Sequence, residues 1–243
     1  MTAEFRSLRD SVVVVTGASS GIGRATAREL MGAGCRLSLA ARREERLHQL
    51  ASDLGDHALV CPTDVRNPEE VRQLIGATID RFGRLDSIVV AAGIGAYGGI
   101  LDYTDDELEE MMETNLAGTV WAVRAALPVM LSSGGGDIVL IASVAGLRGG
   151  ATEAVYAATK FAQVGLAGSL DRELRPHGVR VTTICPAAVK TEFAMGRGRS
   201  PEMPDLDRML QAEDVAAAVR TVLEQPRRMR TQSWTMWSMD ESS

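Results

Sequence analysis

The sequence predicts an α/β protein with a doubly wound parallel sheet of about seven strands and helices on both faces. Short runs rich in β-branched residues alternate with longer segments of helical pattern, which is the order expected for such a sheet. Apolar residues make up 45% of the 243 residues, enough to fill a sizeable core. Because no linker or low-complexity tract divides the chain, we expect one domain over residues 1–243.

The elements follow one another in a regular order. Strands are predicted at residues 11–16, 35–40, 57–61, 87–91, 137–142, 179–184 and 232–236. Helices are predicted between them at residues 22–33, 44–53, 68–82, 105–131, 153–174 and 212–224. Residues 189–210 have the composition of a loop and follow a strand, where open α/β sheets bind ligands. We expect a substrate lid there, with an ordinary long connection as the alternative.

Composition excludes several classes of function. A net charge of −6 argues against a nucleic-acid partner, since such surfaces are usually basic. Apolar runs such as residues 12–15 are too short to cross a bilayer, and residues 1–10 lack a signal-peptide pattern. We therefore expect a cytoplasmic protein with no membrane partner. The cysteines and histidines lack the spacing of a disulfide framework or a metal site, so we expect no metal; they are Cys35, Cys61, Cys185, His48, His57 and His177.

A glycine-rich turn follows the first predicted strand. Residues 16–23 read Thr-Gly-Ala-Ser-Ser-Gly-Ile-Gly, which places Gly17, Gly21 and Gly23 between a strand and a helix. Such a turn lets the backbone approach a phosphate at the helix N-terminus, so Ser19, Ser20 and Ile22 are also candidate cofactor contacts. A literal GxGxxG at residues 93–98 follows the fourth strand without opening a helix, and we interpret it as a decoy for phosphate binding.

The end of the second strand indicates which cofactor is bound. An acidic residue there usually holds the ribose 2′-hydroxyl of NAD, whereas arginine accepts the 2′-phosphate of NADP. This strand ends in Ala-Ala-Arg-Arg, and Arg42 and Arg43 favour NADP. The alternative is that both arginines are solvated residues at the start of a helix, balanced by Glu44 and Glu45.

Tyr156 and Lys160 stand four residues apart in a segment rich in helix formers. Residues at this spacing share one helix face, and a nearby ammonium favours the phenolate form of tyrosine. Tyr156 is therefore a candidate general acid and base. Taken alone, the pair is more simply explained as an amphipathic tyrosine beside a lysine that extends toward solvent.

The motifs together resemble those of the short-chain dehydrogenase/reductase family, in its single-domain branch with a Rossmann-like fold. The resemblance is carried by residues 16–23, Asp64 and Val65, Asn115, Ser143, and Tyr156 with Lys160, in the expected order. It implies that Asp64 contacts the adenine end of the cofactor, that Ser143, Tyr156 and Lys160 carry the proton, and that Asn115 holds a water linking Lys160 to solvent. Contacts with the cofactor are also implied for Val65, Ala92, Gly93, Tyr156, Lys160, Pro186, Val189 and Thr191. The chain departs from the family at residues 90–93, which read Val-Ala-Ala-Gly, and at Ala187, where glycine is common.

The predicted function is interconversion of a carbonyl and an alcohol by an NADP(H)-dependent enzyme. Two donors, the Ser143 hydroxyl and the Tyr156 phenol, would stabilise charge on the substrate oxygen. Asparagine is unfavourable inside a helix, so Asn115 indicates a local distortion. The predicted substrate pocket combines Ser143 and Tyr156 with an apolar wall of Ile94, Leu147, Val189, Phe193 and Met195. An NAD(H)-dependent alcohol dehydrogenase and an NADP-binding sensor or scaffold without catalysis remain alternatives.

We expect a homo-oligomer, either a tetramer or a dimer. The two long predicted helices, residues 105–131 and 153–174, carry small or adaptable residues on more than one face. A contact between helices of two subunits would bury them. A monomeric mass in solution at micromolar protein concentration would contradict this expectation. The residues concerned are Met111, Met112, Ala157, Ala158, Gly165 and Gly168.

Overall fold

A central parallel sheet of seven strands organises the protein. The computed structural model describes residues 5–203 and 206–241. Its strands are β1 (Val12–Thr16), β2 (Arg36–Ala41), β3 (Ala58–Pro62), β4 (Ser87–Val90), β5 (Gly136–Ile141), β6 (Val179–Pro186) and β9 (Ser233–Met236). Two short strands, β7 (Val189–Lys190) and β8 (Leu210–Gln211), form a separate sheet. The sheet order is β3-β2-β1-β4-β5-β6-β9, and all neighbouring pairs are parallel. The predicted fold class is confirmed.

Helices cover both faces of this sheet. They are α1 (Gly21–Gly32), α2 (Glu44–Leu54), α3 (Pro68–Phe82), α4 (Asp105–Met112), α5 (Gly118–Ser132), α6 (Ala154–Leu174) and α7 (Ala212–Glu224). Alternate residues of a strand point to opposite faces, and β1 supplies both layers of the core. Val13 packs with Leu30 of α1 and Val219 of α7, whereas Val14 packs with Leu74 of α3 and residues of α5 and α6.

The predicted helix over residues 105–131 is interrupted. A π-helical segment, Glu113–Ala117, lies between α4 and α5 and contains Asn115, whose side chain is completely buried. The distortion expected from Asn115 is present, and the expectation of one regular helix is wrong. A π turn frees backbone carbonyls from the usual i to i+4 pattern, and such turns are frequent at functional sites.

The segment predicted as a lid has more structure than a loop. Val189 and Leu210 pair in the small sheet of β7 and β8, which the sequence did not predict, and a 3₁₀ turn spans Leu206–Arg208. The segment then leads directly into α7. Pro204 and Asp205 of the predicted lid lie outside the described residues.

The residues that suggested an oligomer divide into two groups. Met111 and Ala157 are buried within the chain's own core, so they do not belong to an excess apolar face. The others are wholly or partly exposed, namely Met112 on α4 and Ala158, Gly165 and Gly168 on α6. The homo-oligomer stays a prediction.

Two features are absent from the described residues. None of their helices is long and apolar enough to span a membrane. No group of three or more His, Cys, Asp or Glu side chains in this part of the chain could hold a metal ion. All three cysteines are free and buried.

Candidate active site

A large cavity opens at the carboxyl ends of the strands, where the sheet order reverses between β1 and β4. Its volume is about 890 Å³. Of the residues that the sequence predicts for the site, only Asn115 and Leu147 do not line it. Those that line it are Gly17, Ser19, Ser20, Gly21, Ile22, Gly23, Arg42, Arg43, Asp64, Val65, Ala92, Gly93, Ile94, Ser143, Tyr156, Lys160, Pro186, Val189, Thr191, Phe193 and Met195.

The glycine-rich turn forms one wall of this cavity and requires glycine for two different reasons. Gly17 has a φ of +70°, and a Cβ there would lie 2.7 Å from the Ala92 nitrogen. A Cβ on Gly23 would overlap the Gly17 carbonyl. The turn is tied to the end of β4, because the Thr16 hydroxyl accepts hydrogen bonds from the Ala91 and Ala92 amides at 3.2 Å each.

The N-terminus of α1 fits the phosphates of a dinucleotide. Ser20 precedes the helix, and its hydroxyl accepts a hydrogen bond from Arg43 at 2.6 Å instead of one from a helix amide. The first amides of α1 therefore face the cavity with the positive end of the helix dipole behind them.

Positive charge gathers beside this turn at the end of β2. Arg43 also contacts the Ser19 hydroxyl at 3.1 Å, and its Nη1 lies 3.2 Å from Glu192. Arg42 pairs with Glu110 at 3.0 Å. The turn from β2 to α2 itself carries no carboxylate. Arg43 and the two serines thus form a group of donors that suits a phosphate.

Asp64, expected at the adenine end, follows β3 and lines the cavity. Its carboxylate already pairs with Arg66 at 2.6 Å. The hydrogen bonds from Arg66 hold the pKa of Asp64 below its usual value. Asp64 therefore stays ionised and is held in place on this side of the cavity.

Ser143, Tyr156 and Lys160 meet at the other end of the cavity. Ser143 follows β5, and its hydroxyl accepts from the Ala145 amide at 3.1 Å. Tyr156 and Lys160 occupy the first two turns of α6, with the Lys160 Nζ 5.7 Å from the centre of the Tyr156 ring. Both side chains are buried. Lys160 donates to the Ile141 carbonyl at 3.0 Å and to the Gln163 Oε1 at 2.9 Å.

Burial governs the protonation of this pair. Desolvation lowers the pKa of Lys160 to about 8. Desolvation raises the pKa of Tyr156 above its usual value, and the Ser143 hydroxyl opposes that effect. Burial thus outweighs the charges around Tyr156, and the Lys160 ammonium is bonded to Ile141 and Gln163.

Asn115 lies behind the cavity wall. Its carboxamide accepts from the Ile94 amide and donates to the Ile94 carbonyl, both at 2.8 Å, and it donates to Thr159 at 3.1 Å. These bonds fix the loop after β4 against α6. Its backbone carbonyl accepts from Gln163 Nε2 at 2.8 Å.

Gln163 is a residue that the sequence reasoning missed. It is completely buried, and besides Lys160 and Asn115 it contacts the Thr119 hydroxyl at 2.7 Å. Its carboxamide therefore bridges the lysine to the π segment. Tyr156, Lys160 and Gln163 stand at i, i+4 and i+7, so they share one helix face, and this spacing could have identified Gln163.

The substrate side of the cavity differs from the predicted wall in one place. Ile94, Val189, Phe193 and Met195 line it as expected. Leu147 does not, and it is 45% exposed. The 3₁₀ turn Val144–Gly146 ends at this residue, whose amide bonds back to the Val144 carbonyl, and its side chain is left at the surface.

Further lining residues were not predicted. Tyr97 and Arg199 both belong to the wall beside Phe193. The Tyr97 and Phe193 rings lie 6.2 and 5.5 Å from the Tyr156 ring. These positions depend on how two separate loops pack together, which no local pattern in the sequence reveals.

Comparison with known proteins identifies the family. A family model described as short chain dehydrogenase matches residues 11–202. The chain belongs to the short-chain dehydrogenase family. An uncharacterized oxidoreductase of Staphylococcus aureus (strain USA300) is 38% identical over 230 residues, which cover 94% of this chain and 97% of the relative.

Two solved structures share the fold of this short-chain dehydrogenase. An alcohol dehydrogenase from the archaeon Thermococcus sibiricus, complexed with 5-hydroxy-NADP, has a TM-score of 0.88 and 30% identity, covering 97% of this chain and 99% of the other. The closed form of a serine dehydrogenase complexed with NADP+ has a TM-score of 0.90 and 30% identity, covering 96% of each chain. Both likenesses extend over nearly the whole chain.

The Gln163 bridge leads to a stability prediction. Gln163→Leu keeps a similar volume but removes hydrogen bonds to three buried partners, Lys160, Thr119 and the Asn115 carbonyl. We expect the free energy of unfolding to fall by about 1–3 kcal/mol, measured by denaturant titration. The matched control is Gln49→Leu on the exposed face of α2, which should change it by no more than about 0.5 kcal/mol. Equal effects of the two substitutions would contradict the bridge.

Proposed function

We propose that this short-chain dehydrogenase is an NADP(H)-dependent oxidoreductase that interconverts a carbonyl group and an alcohol. The observation that carries the proposal is one cavity in which a phosphate-binding turn and Arg43 lie at one end and Ser143, Tyr156 and Lys160 at the other. NADP+ in the serine dehydrogenase and 5-hydroxy-NADP in the archaeal alcohol dehydrogenase support this choice of cofactor.

Each part of the cofactor has residues that fit it. The amides of the turn at residues 17–23 would hold the pyrophosphate. Arg43, Ser20 and Arg42 would hold the 2′-phosphate, and Asp64 with Val65 would border the adenine. Lys160 and Tyr156 would contact the nicotinamide ribose. The nicotinamide itself would be enclosed by Ala92, Gly93, Pro186, Val189 and Thr191.

The chain's own residues would then handle the proton. When bound, NADPH supplies the hydride that the carbonyl carbon receives. Negative charge developing on the substrate oxygen is stabilised by the Ser143 hydroxyl and the Tyr156 phenol. Tyr156 gives its proton to that oxygen as general acid. Lys160 stabilises the phenolate that remains, with its ammonium only 5.7 Å from the ring.

Asn115 acts in this scheme as a positioning residue. Its carboxamide holds the loop that carries Ile94, and its carbonyl anchors Gln163, which in turn orients Lys160. The carboxamide of Gln163 thus connects Asn115 with Lys160, the two residues that the family resemblance expects a water to link. The proton that restores Tyr156 would then enter from the cavity side, where Ser143 and Tyr156 both line the wall.

We also propose that residues 189–210 act as a substrate lid. Glu192 ties this segment to the cofactor side, because it pairs with Arg43 at 3.2 Å and with Arg46 at 2.6 Å. Phe193 and Met195 of the same segment form part of the substrate wall. Binding of the 2′-phosphate to Arg43 would compete with Glu192 and so link cofactor binding to the position of the lid.

The role of Tyr156 is tested by Tyr156→Phe. Removing one hydroxyl removes the proton donor, and we expect kcat for NADPH-dependent carbonyl reduction to fall by about 10²–10⁴-fold. The dissociation constant for NADPH, measured by fluorescence quenching, should stay nearly the same. Wild-type turnover in this variant would refute the role. A wild-type protein that binds NADPH but consumes none across ketones, aldehydes, quinones and oxoacyl esters would instead support a binding protein without catalysis.

Cofactor choice is tested by Arg43→Ala. Loss of a charged hydrogen bond to the 2′-phosphate should weaken binding by about 1.5–3 kcal/mol, which raises KM for NADPH about 10- to 100-fold. KM for NADH, which lacks that phosphate, should change little. The control is Arg28→Ala, which removes an arginine whose exposed ion pair with Asp53 lies away from the cavity. Equal losses with NADPH and NADH in Arg43→Ala would favour an NAD(H)-dependent enzyme.

A further inference from the structure

Arg199 is a charged side chain in the substrate part of the cavity with no assigned task. It is half-buried, and its guanidinium carbon lies 5.4 Å from the centre of the Tyr97 ring and 5.9 Å from that of Phe193. Its Nη1 donates to the Val189 carbonyl at 3.0 Å. Among residues 5–203 and 206–241, no carboxylate lies within 4.0 Å of it.

Three of the four other arginines that line the cavity lie within 4.0 Å of a carboxylate. Arg42 pairs with Glu110, Arg43 with Glu192, and Arg197 lies 3.9 Å from Glu107 and 4.0 Å from Glu110. Arg148 resembles Arg199 in having no ion pair within the described chain, but it is exposed and lies 4.9 Å above the Trp237 ring. Within the described chain, Arg199 is thus the partly buried arginine of the cavity that has aromatic neighbours and no carboxylate within 4.0 Å.

This guanidinium lies close to the reacting groups. The two rings that flank it, Tyr97 and Phe193, also flank Tyr156, at 6.2 and 5.5 Å between ring centres. Its positive charge opposes the burial effect that raises the pKa of Tyr97. Arg199 and Tyr156 thus share two aromatic neighbours and line the same part of the cavity.

A carboxylate is the group that this environment suits best. A partly desolvated charge is costly without a countercharge, and a guanidinium matches a carboxylate with two parallel hydrogen bonds. The aromatic rings limit access of water, which strengthens such a pair. The Nη1 of Arg199 is already bonded to the Val189 carbonyl, so the orientation of the guanidinium plane is set before a substrate binds.

We propose that Arg199 binds the carboxylate of the substrate, so that this enzyme acts on short oxoacids and the corresponding hydroxyacids. The inference rests on the proposed function. In the step itself the carbonyl carbon gains a hydride from NADPH, which is oxidised to NADP+, and the oxygen gains the Tyr156 proton. No bond to the carboxylate forms or breaks, and Arg199 acts on substrate binding alone.

The test compares acids with their neutral esters. NADPH consumption is measured with 2-, 3- and 4-oxoacids and with the methyl ester of each, at equal ionic strength. For the preferred chain length, wild-type kcat/KM should be about 10- to 100-fold higher for the acid than for its ester, the range for a charged hydrogen bond. Esters that react as well as the acids would overturn the inference while leaving the proposed function intact. No consumption with acids, esters or neutral carbonyls would count against both.

Variants separate recognition of the carboxylate from support of the lid. Arg199→Gln should raise KM for the acid about 10- to 100-fold with kcat largely kept, and should leave the ester within about twofold. Arg199→Lys should raise KM for the acid by an intermediate amount, because the positive charge remains but the two parallel hydrogen bonds of the guanidinium are lost. Equal losses with acid and ester would mean that Arg199 only holds Val189 and would overturn the proposal.

Two neighbouring arginines serve as controls. Arg197→Gln removes the same charge from the same segment, but its side chain faces Glu107 and Glu110, so no loss specific to the acid is expected. Arg148→Gln tests the other arginine without an ion pair. A loss specific to the acid in Arg148→Gln and not in Arg199→Gln would overturn the assignment. If Arg199→Gln does not fold, the comparison of acid with ester in the wild type and in Arg199→Lys still shows whether Arg199 recognises the carboxylate.

Discussion

The buried ammonium of Lys160 is the constraint around which the site is arranged. No carboxylate in the described chain pairs with it, and its partners are two neutral oxygens, from Ile141 and Gln163. Removing a charge from water in this way is unfavourable unless its hydrogen bonds are satisfied. The elements nearby supply them: β5 ends at Ile141, and the π segment presents the Asn115 carbonyl that holds Gln163.

This arrangement also limits which residues fit beside Lys160. A Cβ on Gly93 would lie 3.3 Å from the Asn115 Oδ1 and 3.8 Å from the Lys160 Nζ, so another residue there would have to displace the Asn115 carboxamide slightly. A Cβ on Gly95 would overlap the Phe193 ring, so the literal GxGxxG at residues 93–98 has a steric role although it opens no helix. The loop after β4 connects the glycine-rich turn with Asn115, since the Ala91 and Ala92 amides bond to Thr16 and the Ile94 amide bonds to the Asn115 carboxamide.

Much of the fold could be predicted because its signals are local. Alternation of strands and helices gave the layers, and most element boundaries differ from the prediction by one or two residues, as between residues 35–40 and Arg36–Ala41. The family motifs brought Ser143, Tyr156, Lys160 and the glycine-rich turn to one cavity. Leu147 and Gln163 could not be placed from local signals. Side-chain direction after a 3₁₀ turn and hydrogen bonding across helices both depend on tertiary packing. The strands β7 and β8 have only two residues each, too short for any periodic pattern.

The unfolding free energy of the wild type and of Lys160→Met, measured from pH 7 to pH 10, tests the claim about Lys160 most directly. Burial lowers the pKa of Lys160 to about 8, so between this pH and about 10.4 the unfolded chain binds the proton that the folded chain has lost. The unfavourable free energy of the buried charge is therefore fully present below pH 8 and decreases above it. We predict that wild-type stability rises relative to Lys160→Met by on the order of 3 kcal/mol across that window. Lost hydrogen bonds in the variant add an offset that does not depend on pH. A stability difference that stays constant with pH, or that moves in favour of Lys160→Met as pH rises, would contradict the account.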